Sequence, residues 1–273
     1  MIALVTGANQ GLGRALAAGL ATRMHPEDRV LLTGRDRQRV EAAAREIGNV
    51  EPRVLDVRDP HAIHALAEEL GAIDILFSNA TARMSPEADP ATEVDAVAET
   101  SNLATTHILR TFGPRLRPGG RLIVVASALG TLDRLDPRVR PRFTEATDLD
   151  AVDALVEDWR AAVHNGRDEG YGDWLNIPSK VAQVAAVRAY ARTHRAQDLA
   201  ENKLVMALCP GLIDTDASRP WFADMSTAQT TEQAAAWPLD LVLATTFDPA
   251  FYGELVQFGT VVPWGVEHAH GRT

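Results

Sequence analysis

The chain has 273 residues, 46% of them hydrophobic, with 37 acidic against 27 basic side chains and a single cysteine. That is ample apolar material for one large core, and no apolar run reaches the length of a membrane span. The acidic balance argues against a nucleic-acid partner, and the lone Cys209 excludes an internal disulfide, as a reducing cytoplasm would require.

A short apolar run, Ile2 to Val5, passes straight into Thr6-Gly7-Ala8-Asn9-Gln10-Gly11-Leu12-Gly13 and then into helical spacing at Leu12, Leu16 and Leu20. The pattern predicts strand, glycine-rich turn and helix, with a start too early to leave room for a signal peptide. Gly7 permits a tight turn, Gly11 lets a pyrophosphate approach the backbone, and Gly13 allows close helix packing. The helix N-terminus then offers free N–H groups to phosphates. A purely structural turn is the alternative, but the flanking strand and helix favour nucleotide binding.

Arg29 to Thr33 reads as a second strand and Asp36 to Ile47 as a helix, with Gly34-Arg35 between them. In a dinucleotide fold this point meets the adenosine ribose, where an acid selects a free 2′-hydroxyl and an arginine accepts a 2′-phosphate. Arg35 therefore predicts NADP(H); a solvated surface arginine is the competing reading. Arg53 to Val57 reads as a third strand that puts the Asp56 carboxylate beside an adenine. Pro60 to Leu70 reads as a helix carrying His61 and His64, a spacing that suits a metal, but no further ligand completes a site.

Ile73 to Phe77 is a fourth strand, followed by Ser78-Asn79-Ala80. Four strand–helix units in a row predict an α/β fold with a doubly wound parallel sheet of about seven strands, its ligands at the carboxyl ends. Thr92 to Leu116 reads as one long helix bearing Asn102, and Arg121 to Ala126 as a fifth strand with Ser127 just past its end. From Leu129 to Asp173 the alternation stops, and a helix over Leu149 to Val163 is predicted within this insertion. A helix over Ser179 to Thr193, a strand over Lys203 to Leu208, Cys209-Pro210-Gly211, a loop with a short helix over Ser218 to Gln233, and a last strand over Glu254 to Phe258 complete the chain. The terminal His268 and His270 read as a tail, not as ligands. Residues 1–273 are expected to form one domain.

These residues resemble the short-chain dehydrogenase/reductase family over nearly the whole length. TGANQGLG (6–13) resembles its cofactor turn, Asp56 its adenine-side acid, and Ser78-Asn79-Ala80 a variant of its Asn-Asn-Ala-Gly motif. Asn102, Ser127 and Lys180 match its active-site Asn, Ser and Lys. Pro210-Gly211 with Thr215 resembles the segment that touches nicotinamide. The resemblance implies an NADP(H) enzyme whose cofactor meets Gly7, Asn9, Gln10, Gly11, Leu12, Gly13, Arg35, Asp56, Val57, Asn79, Ala80, Lys180, Pro210, Gly211, Ile213 and Thr215. The insertion further resembles the carbonyl-reductase branch, where such a segment covers the surface that other members use to dimerise. It implies a monomer acting on a small molecule.

One position departs from the family. Its tyrosine stands four residues before the active-site lysine, and here that residue is Asn176; the nearest tyrosine, Tyr171, lies in the insertion. The family's phenol protonates the substrate oxygen, and positioned acid catalysis is typically worth about 10²–10⁴ in rate. An Asn amide donates a hydrogen bond but releases no proton near neutral pH. Three readings follow. The acceptor needs no tyrosine proton, being an iminium, activated C=C, quinone or enone held by Ser127 and Asn176; or Tyr171, or a water chained to Lys180 and Asn102, supplies the proton to an ordinary carbonyl; or no net redox occurs, as in an isomerase, lyase, cyclase or silent dinucleotide binder. The intact Ser127, Lys180, Asn102 and glycine turn weigh against a silent binder and Asn176 against the second reading, which places the first ahead. Trp159 and Trp174 read as packing for the insertion, with Trp174 also a candidate pocket wall. Trp221, Phe222 and Met225 fall where the family's substrate lid sits, which suggests an apolar substrate, with plain core packing the equal alternative.

Overall fold

The computed structural model describes residues 1–167 and 169–265. His268 and His270 lie outside the described residues. An eight-stranded sheet runs in the order β3-β2-β1-β4-β5-β6-β7-β8, one strand more than the sequence pattern suggests. All neighbours are parallel except β7 (Leu255–Gln257) and β8 (Thr260–Val262), which form an antiparallel edge pair. The extra strand is three residues long, too short for periodicity to register.

The chain starts in the middle with β1 (Ile2–Val5), winds outward through β2 (Arg29–Gly34) and β3 (Glu51–Val54), then crosses to β4 (Ile73–Ser78), β5 (Leu116–Val125) and β6 (Leu204–Cys209). Winding outward in both directions leaves a switch point between β1 and β4, where the following loops diverge and open a crevice. The middle strands are covered on both faces, and β6 is buried at every residue. β3 stops two residues before Asp56, so that carboxylate lies in the turn after the strand and not at its end.

Helices α1 (Gly11–Arg23), α2 (Arg37–Ile47) and α3 (Pro60–Leu70) follow the first three strands as predicted. Asp36 and Asp59 cap α2 and α3 by accepting backbone N–H bonds. The predicted long helix after β4 is interrupted. It runs as α4 (Pro90–Val97), one wider π turn over Ala98–Leu103, and α5 (Ala104–Phe112). Such wide turns occur mainly at functional positions, and Asn102 sits in this one.

The insertion contains α6 (Arg140–Glu145) and α7 (Leu149–His164). α7 is amphipathic, is capped by Asp148, and lies across α4, α5 and α8 (Asn176–Ala200). Trp159, 1% exposed, fills the seam beneath it, and Arg160 pairs with Asp95 at 2.6 Å on α4. α8 begins three residues earlier than predicted and extends to Ala200, because its Ala-rich sequence contains no breaker after Pro178.

The pattern missed α9 (Thr231–Leu243), whose interior Pro238 obscures its helical spacing. A capping box starts it: the Thr230 hydroxyl accepts from the Gln233 N–H, and the Gln233 side chain accepts from the Thr230 N–H. α9 packs directly on α1; a methyl group at Gly19 would lie 2.2 Å from Leu239 Cδ1. Beneath the sheet the buried Arg121 donates to the carbonyls of Gly119 and Asn202, both at 2.6 Å, and of Ala244 at 3.2 Å.

Candidate active site

The carboxyl ends of β1 and β4 are stitched together around the glycine turn. Asn79 Nδ2 donates to the carbonyls of Thr6 at 3.0 Å and Gly7 at 3.1 Å, and the Thr6 hydroxyl accepts from the N–H groups of Asn79 and Ala80. Gly7 has φ +61°, and a Cβ there would lie 2.7 Å from the Ala80 Cα. A Cβ at Gly13 would lie 2.4 Å from Asn79 Nδ2 and 2.5 Å from the Gly7 oxygen. Asn79 and Ala80 thus shape the turn, and Gly13 makes room for that stitch. Around Gly11, by contrast, the space is open apart from Thr215 Cγ2 at 3.9 Å on the far side.

α1 starts at Gly11 with Leu12 buried beneath it. No side chain caps it and no acid stands in its first turn, so its free N–H groups face the crevice. An anion is the natural complement.

Arginines gather beside the turn. Arg35 is exposed at the end of β2. Arg39 on α2, which sequence reasoning passed over, donates to the Gln10 side chain and lies 3.3 Å from the Asn9 side-chain amide. Gly34 accommodates Asn9, since a Cβ there would be 2.9 Å from its side-chain amide. The position of Arg39, one turn beyond Arg35 on the helix leaving β2, is the signal that could have found it. Asp56 is held by Arg58 through bonds of 3.0 and 2.6 Å, which keep its carboxyl below the usual range. Val57 is buried behind it. An uncapped helix start, open space at Gly11, Arg35 at the end of β2 and Arg39 on α2 fit a dinucleotide carrying a 2′-phosphate.

On the β6 side, Gly211 has φ +84° and packs tightly on Gln229 and Phe258. Gln229 donates to the Pro210 carbonyl at 3.1 Å, while Ile213 bridges to Gln229. This holds Thr215 opposite Gly11.

Ser127, Asn102 and Lys180 converge where β5 meets α8. Ser127 is extended, and its hydroxyl accepts from the Leu129 N–H at 3.2 Å. Asn102 Nδ2 donates to the Ser179 carbonyl at 2.8 Å, whereas its Oδ1 is buried without a partner. Lys180 Nζ reaches the Val125 carbonyl at 3.4 Å and Gln183 Oε1 at 2.8 Å. Gln183 is itself buried and reaches Thr105 Oγ1 at 3.5 Å. The motif pattern did not flag Gln183.

Burial pushes the Lys180 ammonium down to about 8, partly opposed by the neighbouring Cys209. Burial raises the Cys209 thiol, against N–H groups of Gly211 and Ala128 that favour the thiolate. The chain has only two lysines, Lys180 and Lys203. A ¹³Cε titration should therefore show one lysine inflecting near pH 8, absent in Lys180→Met; a titration above 10 would contradict this environment. The folded chain releases this proton near 8 and the unfolded chain near 10.5, so stability should rise with pH across that window.

Asn176 occupies the first residue of α8, half-buried, one turn before Lys180. Tyr171 is committed elsewhere. It is 3% exposed, its hydroxyl accepts from Arg142 at 2.8 Å on α6, and its ring meets Phe143 edge-on. Trp159 packs under the insertion as expected, but Trp174 stacks on Trp221 and faces a cavity. Phe222 is instead 39% exposed. Among the described residues no three His, Cys, Asp or Glu side chains come together as a metal site.

Comparison with known proteins agrees with this architecture. The short chain dehydrogenase family model matches residues 1–135. Carbonyl reductase [NADPH] 1 of Sus scrofa is 30% identical, over 97% of this chain and 94% of that protein. Among solved structures, salutaridine reductase from Papaver somniferum superposes with a TM-score of 0.76 at 20% identity, covering 93% of this chain and 98% of the other. The NADPH-bound carbonyl reductase from chicken fatty liver gives 0.68 at 19% identity, covering 96% and 98%. On this near full-length identity, the chain belongs to the short-chain dehydrogenase/reductase family, in its carbonyl-reductase-like branch.

Proposed function

We propose that this NADP(H)-dependent oxidoreductase reduces an activated C=N, C=C or C=O group of a small, largely apolar molecule without a tyrosine proton donor. The observation that carries this reading is the fate of the nearest phenol: Arg142 holds Tyr171 while Asn176 stands one turn before Lys180. NADPH, when bound, supplies the hydride.

The chain's own residues bind and orient. The α1 N-terminus and the open face of Gly11 receive the diphosphate, and Arg35 and Arg39 receive the 2′-phosphate. Asp56 and Val57 flank the adenine, and Pro210, Gly211, Ile213 and Thr215 close over the nicotinamide side. Lys180 donates to the nicotinamide ribose. Ser127 and Asn176 donate hydrogen bonds to charge that develops on the acceptor. The unpartnered Asn102 Oδ1 calls for a donor, and a water there would link it to Lys180.

NADPH oxidation over cyclic iminium ions, enones, quinones and simple ketones tests the reading. Turnover of the first three with ketones at least a hundredfold slower is expected. Equal turnover of ketones would point to a proton relay through water, and products at the substrate's own oxidation state would point to isomerisation or elimination.

Residues 1–273 act in this reading as one catalytic unit. No helix among the described residues is long and apolar enough to cross a membrane, and we assign the chain to the cytoplasm on its single buried cysteine. α7 covers the faces of α5 and α8, so we also expect a monomer, to be checked by sedimentation.

A further inference from the structure

Between the loop after β4, the residues ahead of α8 and the loop after β6 lies a cavity of about 270 Å³. Met84 and Pro86 form one wall, and Trp174 and Trp221 another. The two indoles stack with centroids 5.4 Å apart and planes inclined by 25°. Among the described residues, the only ionisable side chains on the lining are the carboxylates of Glu93 and Asp173. Glu93 is fixed, accepting from the Ser85 N–H at 3.0 Å, and the nearby Arg83 turns away to the Asp216 carbonyl at 2.8 Å. Leu175, also on the lining, directly precedes Asn176, so the cavity adjoins the point where the family's tyrosine would stand.

We propose that this cavity takes a planar organic cation and that the acceptor is a cyclic iminium ion, an assignment that rests on the tyrosine-free reading above. Indole faces attract a cation through their quadrupole, and two carboxylates with no basic neighbour on the lining add a negative potential. A neutral ketone gains nothing from either and must still displace water from the carboxylates. The chemistry then agrees with the missing phenol. The iminium carbon accepts the hydride and forms a C–H bond, the C=N π pair moves to nitrogen, the cation becomes a neutral amine, and NADPH leaves as NADP⁺. No proton is consumed.

Two measurements on the full chain test this. Calorimetric titration at pH 8 compares N-methylisoquinolinium with neutral isoquinoline, and NADPH oxidation compares N-methyl-3,4-dihydroisoquinolinium with 1,4-naphthoquinone. The cation should bind about tenfold more tightly than its neutral analogue, and its advantage should fall about tenfold in Glu93→Gln/Asp173→Asn and in Trp174→Leu. The ratio of iminium to quinone kcat/KM should fall in step. Equal binding of the two titrants, or a ratio unmoved by these variants, would overturn the cation assignment even if the quinone is turned over. Cation-selective binding without reduction of any acceptor would instead overturn the tyrosine-free reductase reading.

Discussion

Asn176→Tyr is expected to raise kcat/KM for simple ketones by about 10²–10⁴, the usual worth of a positioned general acid. The new phenol would stand one helical turn from Lys180, whose ammonium favours the phenolate and so lowers the phenol's pKa. Asn102 is already held against the same helix through the Ser179 carbonyl, and Ser127 stands just past the end of β5. Steady-state rates with NADPH and an aryl ketone, read from pH 6 to 9, measure the gain. A new alkaline limb should accompany it as the proton donor is lost. If the iminium rate is unchanged while the ketone rate rises, the native site lacks only the acid. A variant that folds and binds NADPH but gains no ketone activity would mean that residue 176 does not face the acceptor.

Trp159→Ala is expected to cost about 3–5 kcal/mol, because the indole is almost completely buried between α7 and the helices it covers, and truncation leaves a cavity. For a chain of this size the unfolding midpoint should fall by roughly 10 °C. Its Nε1 has no partner, so the expected loss is one of packing and not of a hydrogen bond. Calorimetry settles the magnitude, and a fall of only one or two degrees would mean that the insertion is not packed as described. If α7 also shields α5 and α8 from a second copy, the variant should self-associate at high concentration, which sedimentation would detect.

Much of this was legible before any coordinates. Strand–turn–helix at Ile2–Leu20 could be read because alternating element types leave different apolar periods, and Gly7 and Gly13 sit where any larger residue collides with Ala80 or Asn79. The order of Asn102, Ser127 and Lys180 is equally readable, through its match to the active-site motif of the family that the chain resembles. Less visible were features that depend on three-dimensional neighbours. Arg39 is an ordinary charged residue on a solvated helix until the fold brings Gln10 under it. Gln183 is one polar residue in an Ala-Val helix, and only the neighbouring Lys180 and the packing of α5, which brings Thr105, give it partners. The pattern places β3 at Arg53 to Val57, whereas the strand starts two residues earlier and ends three earlier, because Asp56 turns aside to pair with Arg58. α9 escaped because Pro238 breaks the pattern while packing against α1 supplies the stability that propensity lacks.

The contact between Gly19 and Leu239, with Arg121 tying residues 119, 202 and 244 together, governs the order of assembly. The first helix of the nucleotide-type crevice has its outer flank supplied by nearly the last helix of the chain. An emerging polypeptide therefore cannot complete the crevice as its motifs appear. The helix behind the glycine turn lacks its flank until Leu239 is there to pack on Gly19. Contacts so distant in sequence fold slowly. Truncation before α9 should yield a chain that carries every recognisable cofactor motif and refolds around none of them.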